Sequence, residues 1–364
     1  MNNKTGKKPI KTTLLTLAVI GGLGIAWQPL AALGRNAAAF SVSFGRVSSS
    51  AVSQTRQGGL HNTEGGEEEN LADEPLSYAT ETPQEQLPLT APAQNGKVPK
   101  ELGNGGKVSE QQMFAGSSFI QGVTIRNKSG AAIDIAKQLA IKPKINITGT
   151  DKPQVLIVHT HTTESYMSYY GGFYNADDKT RSKDETQNIV AVGRMVANRL
   201  RAQGIAVVHD TTIHDEPYSG AYSRSEKTVK KNLEKHPTIQ VVLDLHRDGL
   251  MVNSTTKLKP TTVINGKKAA QLMMITCGVN NPANPLPNWQ ENLRFALRLQ
   301  GAVHNQYTNL ARPLGVGVSR YNQHLTNGSL LVEIGSDSNT LEEALYTAQL
   351  FGDILAGVLL SLKM

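Results

Sequence analysis

Three polar clusters stand at the ends of apolar runs, where side chains able to bind a metal or move a proton would be useful. His159-Thr160-His161-Thr162-Thr163-Glu164 leaves the run VLIVH, and Asp244-Leu245-His246-Arg247-Asp248-Gly249 leaves the run IQVVLDL. Glu333 lies inside SLLVEI, two residues before Gly335. A lone histidine is more often structural than a ligand, but three strand ends that each offer His or Glu favour a metal site. A catalytic zinc takes three protein ligands of this kind and leaves a fourth position for water. The metal makes that water acidic, and a nearby carboxylate can take its proton. His161 and His246 are the first two candidate ligands. For the third, Glu164 and Glu185 compete, and spacing leaves the choice open. His159 shares a face with His161 if the strand runs on through it, either as a ligand or as a donor that orients the site.

These clusters need a scaffold that gathers strand ends. Val155–His159, Ile205–His209, Ile239–Leu245, Leu272–Thr276 and Ser329–Ile334 read as short buried strands. Between them, Asn188–Gln203, Ser223–Lys235, Trp289–Tyr307 and Thr340–Leu360 have helical spacing, the last with Ser338 or Asn339 as its cap. Alternating strands and helices predict an α/β domain with a single, mostly parallel sheet of about six strands flanked by helices. That is too few for an eight-stranded barrel, which opposes a barrel-type amidohydrolase built on His159-x-His161. In parallel α/β sheets ligands collect at the carboxyl ends of the strands, where these clusters lie.

The 364 residues carry 37 Lys+Arg against 30 Asp+Glu, a formal net charge of +7. The excess is uneven: residues 1–96 hold 7 basic and 8 acidic side chains, and the remainder holds 30 and 22. A basic domain suits an anionic partner such as nucleic acid, anionic lipid or an acidic wall polymer. With one cysteine, Cys277, neither a disulfide framework nor a multi-thiolate zinc site is available.

Lys4, Lys7, Lys8 and Lys11 precede 23 uncharged residues, Thr12–Gly34. About 20 helical residues cross the hydrocarbon core, and basic residues before them stay cytoplasmic. Residues 1–40 therefore read as a cytoplasmic tip and single-pass anchor, although Ala37-Ala38-Ala39 also fits the end of a cleavable signal. Residues 41–104, rich in Ser, Gly, Glu, Gln and Pro, read as a disordered polar linker. Residues 105–364 are the expected extracytoplasmic domain, which makes nucleic acid an improbable partner.

The segments VLIVHTHTTES, SKDETQNIVAVGRMVANRLRAQGI, VVLDLHRDG and SLLVEIGSDSN occur in the order found in zinc N-acetylmuramoyl-L-alanine amidases of the amidase_3 type. The chain resembles most the branch called stage II sporulation protein P. The resemblance covers roughly residues 120–364. It implies that His161, Glu185 and His246 hold Zn2+, that Glu333 is catalytic, and that Asn339 occupies the place of a following Asn. One departure stands out: a glycine-rich D-P-G-H-G-G turn is replaced by Val158-His159-Thr160-His161-Thr162-Thr163. The resemblance further implies cleavage of the muramoyl–L-alanine amide in peptidoglycan, with peptide cross-links as a second target. It also implies work during engulfment beside stage II sporulation protein D. A catalytically inactive peptidoglycan-binding scaffold of the same fold is the alternative.

Other residues carry weaker signals. Arg247 suits a peptide carboxylate or a developing oxyanion, or simply a surface pair with Asp248. Tyr166, Tyr169, Tyr170 and Tyr174 either line a glycan groove or pack their own loop. Lys227, Lys230, Lys231 and Lys235 read as a solvated helix face. His209, His214, His236, His304 and His324 share no motif and read as structural.

Overall fold

The computed structural model describes residues 105–113, 120–148, 151–169 and 171–363. The anchor and linker expected over residues 1–104, and Tyr170, lie outside them. In chain order the elements are β1 (Gly106–Gln111), β2 (Ile125–Asn127), α1 (Ile135–Ala140), β3 (Val155–Val158), β4 (Phe173–Tyr174), α2 (Ile189–Ala202), β5 (Val207–His209) and α3 (Ala221–Lys235). They continue with β6 (Val241–Asp248), β7 (Met251–Asn253), β8 (Thr256–Ile264), β9 (Lys267–Ala270), β10 (Leu272–Cys277), α4 (Trp289–Gln306), β11 (Leu314–Gly317), β12 (Gly328–Ser336) and α5 (Leu341–Ser361).

The main sheet has seven strands in the order β2-β11-β10-β12-β6-β3-β5. Every neighbouring pair is parallel except β10 with β12. The α/β class and the mostly parallel sheet thus agree with the sequence reading. The single sheet does not. A second, five-stranded sheet joins β4-β1-β8-β7, with β9 paired to β8. Its hairpin turns on Asn265-Gly266, both at positive φ (50° and 75°), a combination that favours tight β-hairpins.

Period-two alternation decides which residues reach which face of the main sheet. Val155 and Ile157 of β3, Leu243 and Leu245 of β6, and Val332 and Ile334 of β12 belong to the large core that also takes residues of α2, α4 and α5. Leu156, Val158 and Val242 face the other way, onto Val229 of α3. Asp244 and His246 continue the Val242 side of β6. Glu333, directly opposite His246 in the β6–β12 register, lies between Val332 and Ile334 and so faces the α3 side too.

Two features stiffen the large core. Arg199 of α2 clamps Asp353 of α5 with bonds of 2.7 and 2.9 Å. Helix α5 opens with a reciprocal cap, in which Thr340 accepts from Glu343 N–H and Glu343 accepts from Thr340 N–H. The cap is therefore Thr340, one residue beyond Asn339 and two beyond Ser338, the expected positions. Helix α5 is long and apolar enough to cross a membrane, but Ala344, Ala348, Phe351, Leu355 and Leu359 are buried in the core.

Candidate active site

Strand β3 ends at Val158, and the chain turns at once over Thr160–Thr163. His159 keeps the inward direction of Val155 and Ile157 and enters the α2 side of the sheet. Its Nδ1 lies 3.0 Å from the Leu245 carbonyl and its Nε2 2.8 Å from His209 Nε2. Gly193 of α2 makes room for this pair, since a Cβ there would come within 2.7 Å of both imidazoles. Burial lowers the His159 pKa to about 4 and that of His209 well below its usual value. His159 is a neutral core residue, with both ring nitrogens engaged, and it does not meet His161.

The turn carries His161 to the opposite side of the sheet. Its ring meets that of His246 edge to face, with centres 5.3 Å apart. Two imidazoles bonded to one tetrahedral zinc at about 2.1 Å would hold their centres about 5 Å apart. His161 Nδ1 is buried without a hydrogen-bond partner. A native interior rarely leaves such an atom unpaired, so it calls for a partner from outside the chain. Burial, followed by repulsion from His246, lowers the His161 pKa and keeps its imidazole neutral and able to ligate.

His246 lies between two carboxylates. Glu164 Oε2 is 3.4 Å from its Nδ1, and Asp244 Oδ1 is 2.9 Å from its Nε2. The second contact is poorly aligned and leaves Nε2 without a hydrogen bond. Burial opposes a charge on His246, but Asp244 and Glu164 outweigh it and raise its pKa well above the ordinary value. Burial alone would raise both acids too. His246, with Arg247 for Glu164 and Thr160 for Asp244, holds them below their usual pKa. The pocket therefore demands positive charge, which a proton on His246 supplies in the metal-free protein. The neutral His161 nitrogen and this anionic surround fit a divalent cation.

Glu333 is half-buried, with Oε2 sealed off and unpartnered. Burial, reinforced by Asp248 and Glu164 and opposed by His246 and Arg312, raises its pKa to about 8. An acid poised this way suits proton transfer near neutral pH.

Glu185 ion-pairs Arg194 at 2.8 Å, and its side chain is 45% exposed. It stands in the turn before α2, where Asn188 caps the helix, so the chain direction presents it to Arg194. The structure brings Glu164, not Glu185, against His246. Among the described residues no three His, Cys, Asp or Glu side chains form a ready metal cluster. Arg247 is buried and pinned to the loop over the site, donating to Ser165 O at 3.1 Å and Thr180 O at 2.7 Å. The surface pair with Asp248 does not form, because Asp248 binds Arg312 at 2.9 Å. Asn339 is fully buried, accepting from Ser336 N–H at 2.9 Å and donating to Glu343 at 2.9 Å, so it braces the turn between β12 and α5. Tyr166 packs in the large core, Tyr169 is buried, and with Tyr174 they line a cavity beside their loop.

Three neighbours escaped the sequence reading as site residues. Asp244 had a signal, because it precedes His246 by two on one strand and so shares its face. Tyr218 stacks on His161 at 4.5 Å, and Tyr222 meets it edge to face at 5.8 Å. Tyr222 enters from the first turn of α3 and Tyr218 from the loop before it, a placement set by tertiary packing that no local pattern announces.

With this geometry in place, comparison with known proteins is informative. The family model of stage II sporulation protein P matches residues 51–356. The chain belongs to that family. It is 32% identical over 228 residues to stage II sporulation protein P of Bacillus subtilis (strain 168), covering 59% of this chain and 53% of the relative. The match thus spans about half the length of that curated relative. Among solved structures, it is similar to an N-acetylmuramyl-L-alanine amidase of Mycobacterium smegmatis, with 13% identity, TM-score 0.34, and 60% of this chain and 98% of that one covered. It is also similar to the CwlD amidase of Clostridioides difficile, solved with the GerS lipoprotein, with 14% identity, TM-score 0.35, and 58% and 98% covered.

Proposed function

We propose that this family member is a membrane-anchored, extracytoplasmic zinc hydrolase of peptidoglycan that cuts the N-acetylmuramoyl–L-alanine amide during sporulation. The observation that carries the reading is the edge-to-face pair His161/His246, with a buried unpaired nitrogen on His161 and the half-buried acid Glu333 on the same face. Family membership supplies the sporulation context. The basic charge of residues 97–364 suits a wall with peptide carboxylates and attached acidic polymer. Stage II sporulation protein D is the partner this reading expects.

His161 and His246 would hold the zinc, and Glu164 is the carboxylate already standing against the pair. We assign Glu164 the third position. The resemblance assigns it to Glu185, which would first have to leave Arg194. When bound, zinc supplies Lewis acidity and a more acidic water. The chain's own residues handle the protons. Positive charge at the histidines lowers the Glu333 pKa, so that its carboxylate can take the proton of the attacking water. Glu333 then delivers that proton to the amide nitrogen as the C–N bond breaks, leaving a free alanine amine and a lactyl carboxylic acid that releases its remaining proton to solvent. Asp244 holds Thr160 by two bonds of 2.8 and 2.7 Å, fixing the turn that aims His161.

Mass analysis of fragments released from purified peptidoglycan by the full-length chain tests this. Free N-terminal alanine, lost on chelation and in E333Q, is the expected result, and the same spectra reveal any cut cross-link. Release that survives chelation would overturn the reading. That the described residues hold no ready-made three-ligand cluster favours one alternative, an inactive wall-binding scaffold. That alternative expects the chain to sediment with the wall while releasing nothing.

A further inference from the structure

Helix α3 brings one aromatic group to the site that the chemistry above does not use. Tyr222, on its first turn, is half-buried. Its ring lies 17° from parallel to His246, with centres 6.5 Å apart, and 5.8 Å from His161. It therefore walls the space both imidazoles face. Among the described residues its hydroxyl makes no hydrogen bond, although the phenols of Tyr166 and Tyr346 both donate to carbonyls.

The backbone of Tyr222 is held by residues in an uncommon conformation. Tyr321 and Asn322 both have positive φ, 44° and 58°, which non-glycine residues seldom adopt. Asn322 donates from its side chain to the Tyr222 carbonyl at 2.9 Å and to Ser225 Oγ at 3.1 Å. The Tyr321 ring packs on Tyr222 at 5.5 Å. Backbone strain of this kind persists where surrounding contacts over-determine it, often at functional sites. Here it fixes the start of α3 against the histidine pair.

We propose that Tyr222 is a catalytic residue, its phenol donating a hydrogen bond to the substrate carbonyl oxygen as that oxygen gains negative charge. This rests on the hydrolase reading above. The hydroxyl keeps its proton throughout. Water's oxygen bonds to the carbonyl carbon and the C–N bond breaks; one water proton passes through Glu333 to the leaving nitrogen, and the second leaves the new carboxyl group for solvent. A fixed donor aimed at a developing oxyanion lowers the barrier without affecting ground-state binding to the same extent.

Tyr222→Phe removes the donor and keeps the ring stack and the Asn322 bond to the backbone. On peptidoglycan, kcat should fall about 100-fold with little change in KM, at unchanged zinc content. The second readout does not depend on wall digestion. Acetohydroxamate is a small oxyanion ligand for zinc, and its affinity for the zinc-loaded full-length chain, measured by calorimetry, should weaken about 10-fold or more in Y222F. Equal affinity in wild type and Y222F, or no binding by wild type, overturns the assignment. Tighter binding by wild type alongside an intact wall would keep Tyr222 as the oxyanion donor and remove the peptidoglycan reading instead.

Discussion

His159 and His161 stand two residues apart and have opposite fates. The first is sealed in the core with both ring nitrogens engaged, while the second is on the other side of the sheet with a nitrogen that nothing satisfies. The turn beginning right after Val158 produces the split, since a continued strand would have put both rings on one face. Buried polar groups are normally paired, so a paired histidine reads as architecture and an unpaired one as a vacancy for chemistry. This contrast can be broken at several points.

The largest effect belongs to Glu333. Replacing it with Gln should reduce hydrolysis of peptidoglycan by about 1000-fold, in the range seen for a lost general acid–base group. Stability should hold or rise slightly, because a half-buried acid with an unpaired oxygen is removed. A matching collapse of the folded state would mean that Glu333 is architectural, like His159.

The two histidines should then separate cleanly by readout. H159A leaves a cavity and strands the Leu245 carbonyl and His209, for a loss of about 3 kcal/mol in denaturant unfolding. H161A removes a ring without a hydrogen-bonded partner, so the metal-free protein should lose no more than about 1 kcal/mol while zinc binding disappears. Equal stability losses would erase the distinction.

Titration sharpens the contrast from another direction. His159 has a folded pKa near 4 against 6.5 for the ordinary group, so its contribution is intact above pH 6.5 and is lost as pH falls towards 4. That amounts to about 3 kcal/mol over the window. In the metal-free protein His246 runs the other way: its raised pKa adds stability below pH 6.5 that disappears as pH rises through the folded value. The stability gap between wild type and H159N should therefore widen from pH 4 to pH 6.5 in urea melts. A gap independent of pH would mean that His159 is not held neutral.

The same contrast explains what the sequence could and could not tell. Apolar runs such as VLIVH and the spacing in Asn188–Gln203 foretold β3 and α2, because burial and helix periodicity leave direct marks. Strands β2 and β11 at one side of the main sheet, and the second sheet, were missed. Strand β8 contains Lys257, Lys259 and Pro260, which break the apolar pattern of a buried strand. Lys259 is nonetheless buried because Glu343, eighty-four positions on, pairs with it at 2.6 Å. The mark of that hairpin in the sequence is the Asn265-Gly266 dipeptide, which favours a tight turn. At the site, His161, His246 and Glu333 were legible as strand-end residues. Tyr222 was not, since its value comes from where α3 packs.

The smallest effect is expected at Glu185, and it decides between two readings of the site. Its pair with Arg194 is substantially solvent-exposed, and exposed pairs contribute little, so E185Q should alter stability by less than about 0.5 kcal/mol. If Glu164 completes the zinc site, E185Q also retains its metal, and E164Q loses it. If instead E185Q is purified without zinc while E164Q keeps it, Glu185 must swing from Arg194 to the histidines when zinc binds. Metal content of the two variants, measured side by side, therefore reports whether the site is assembled from the turn that carries His161 or completed by the start of α2.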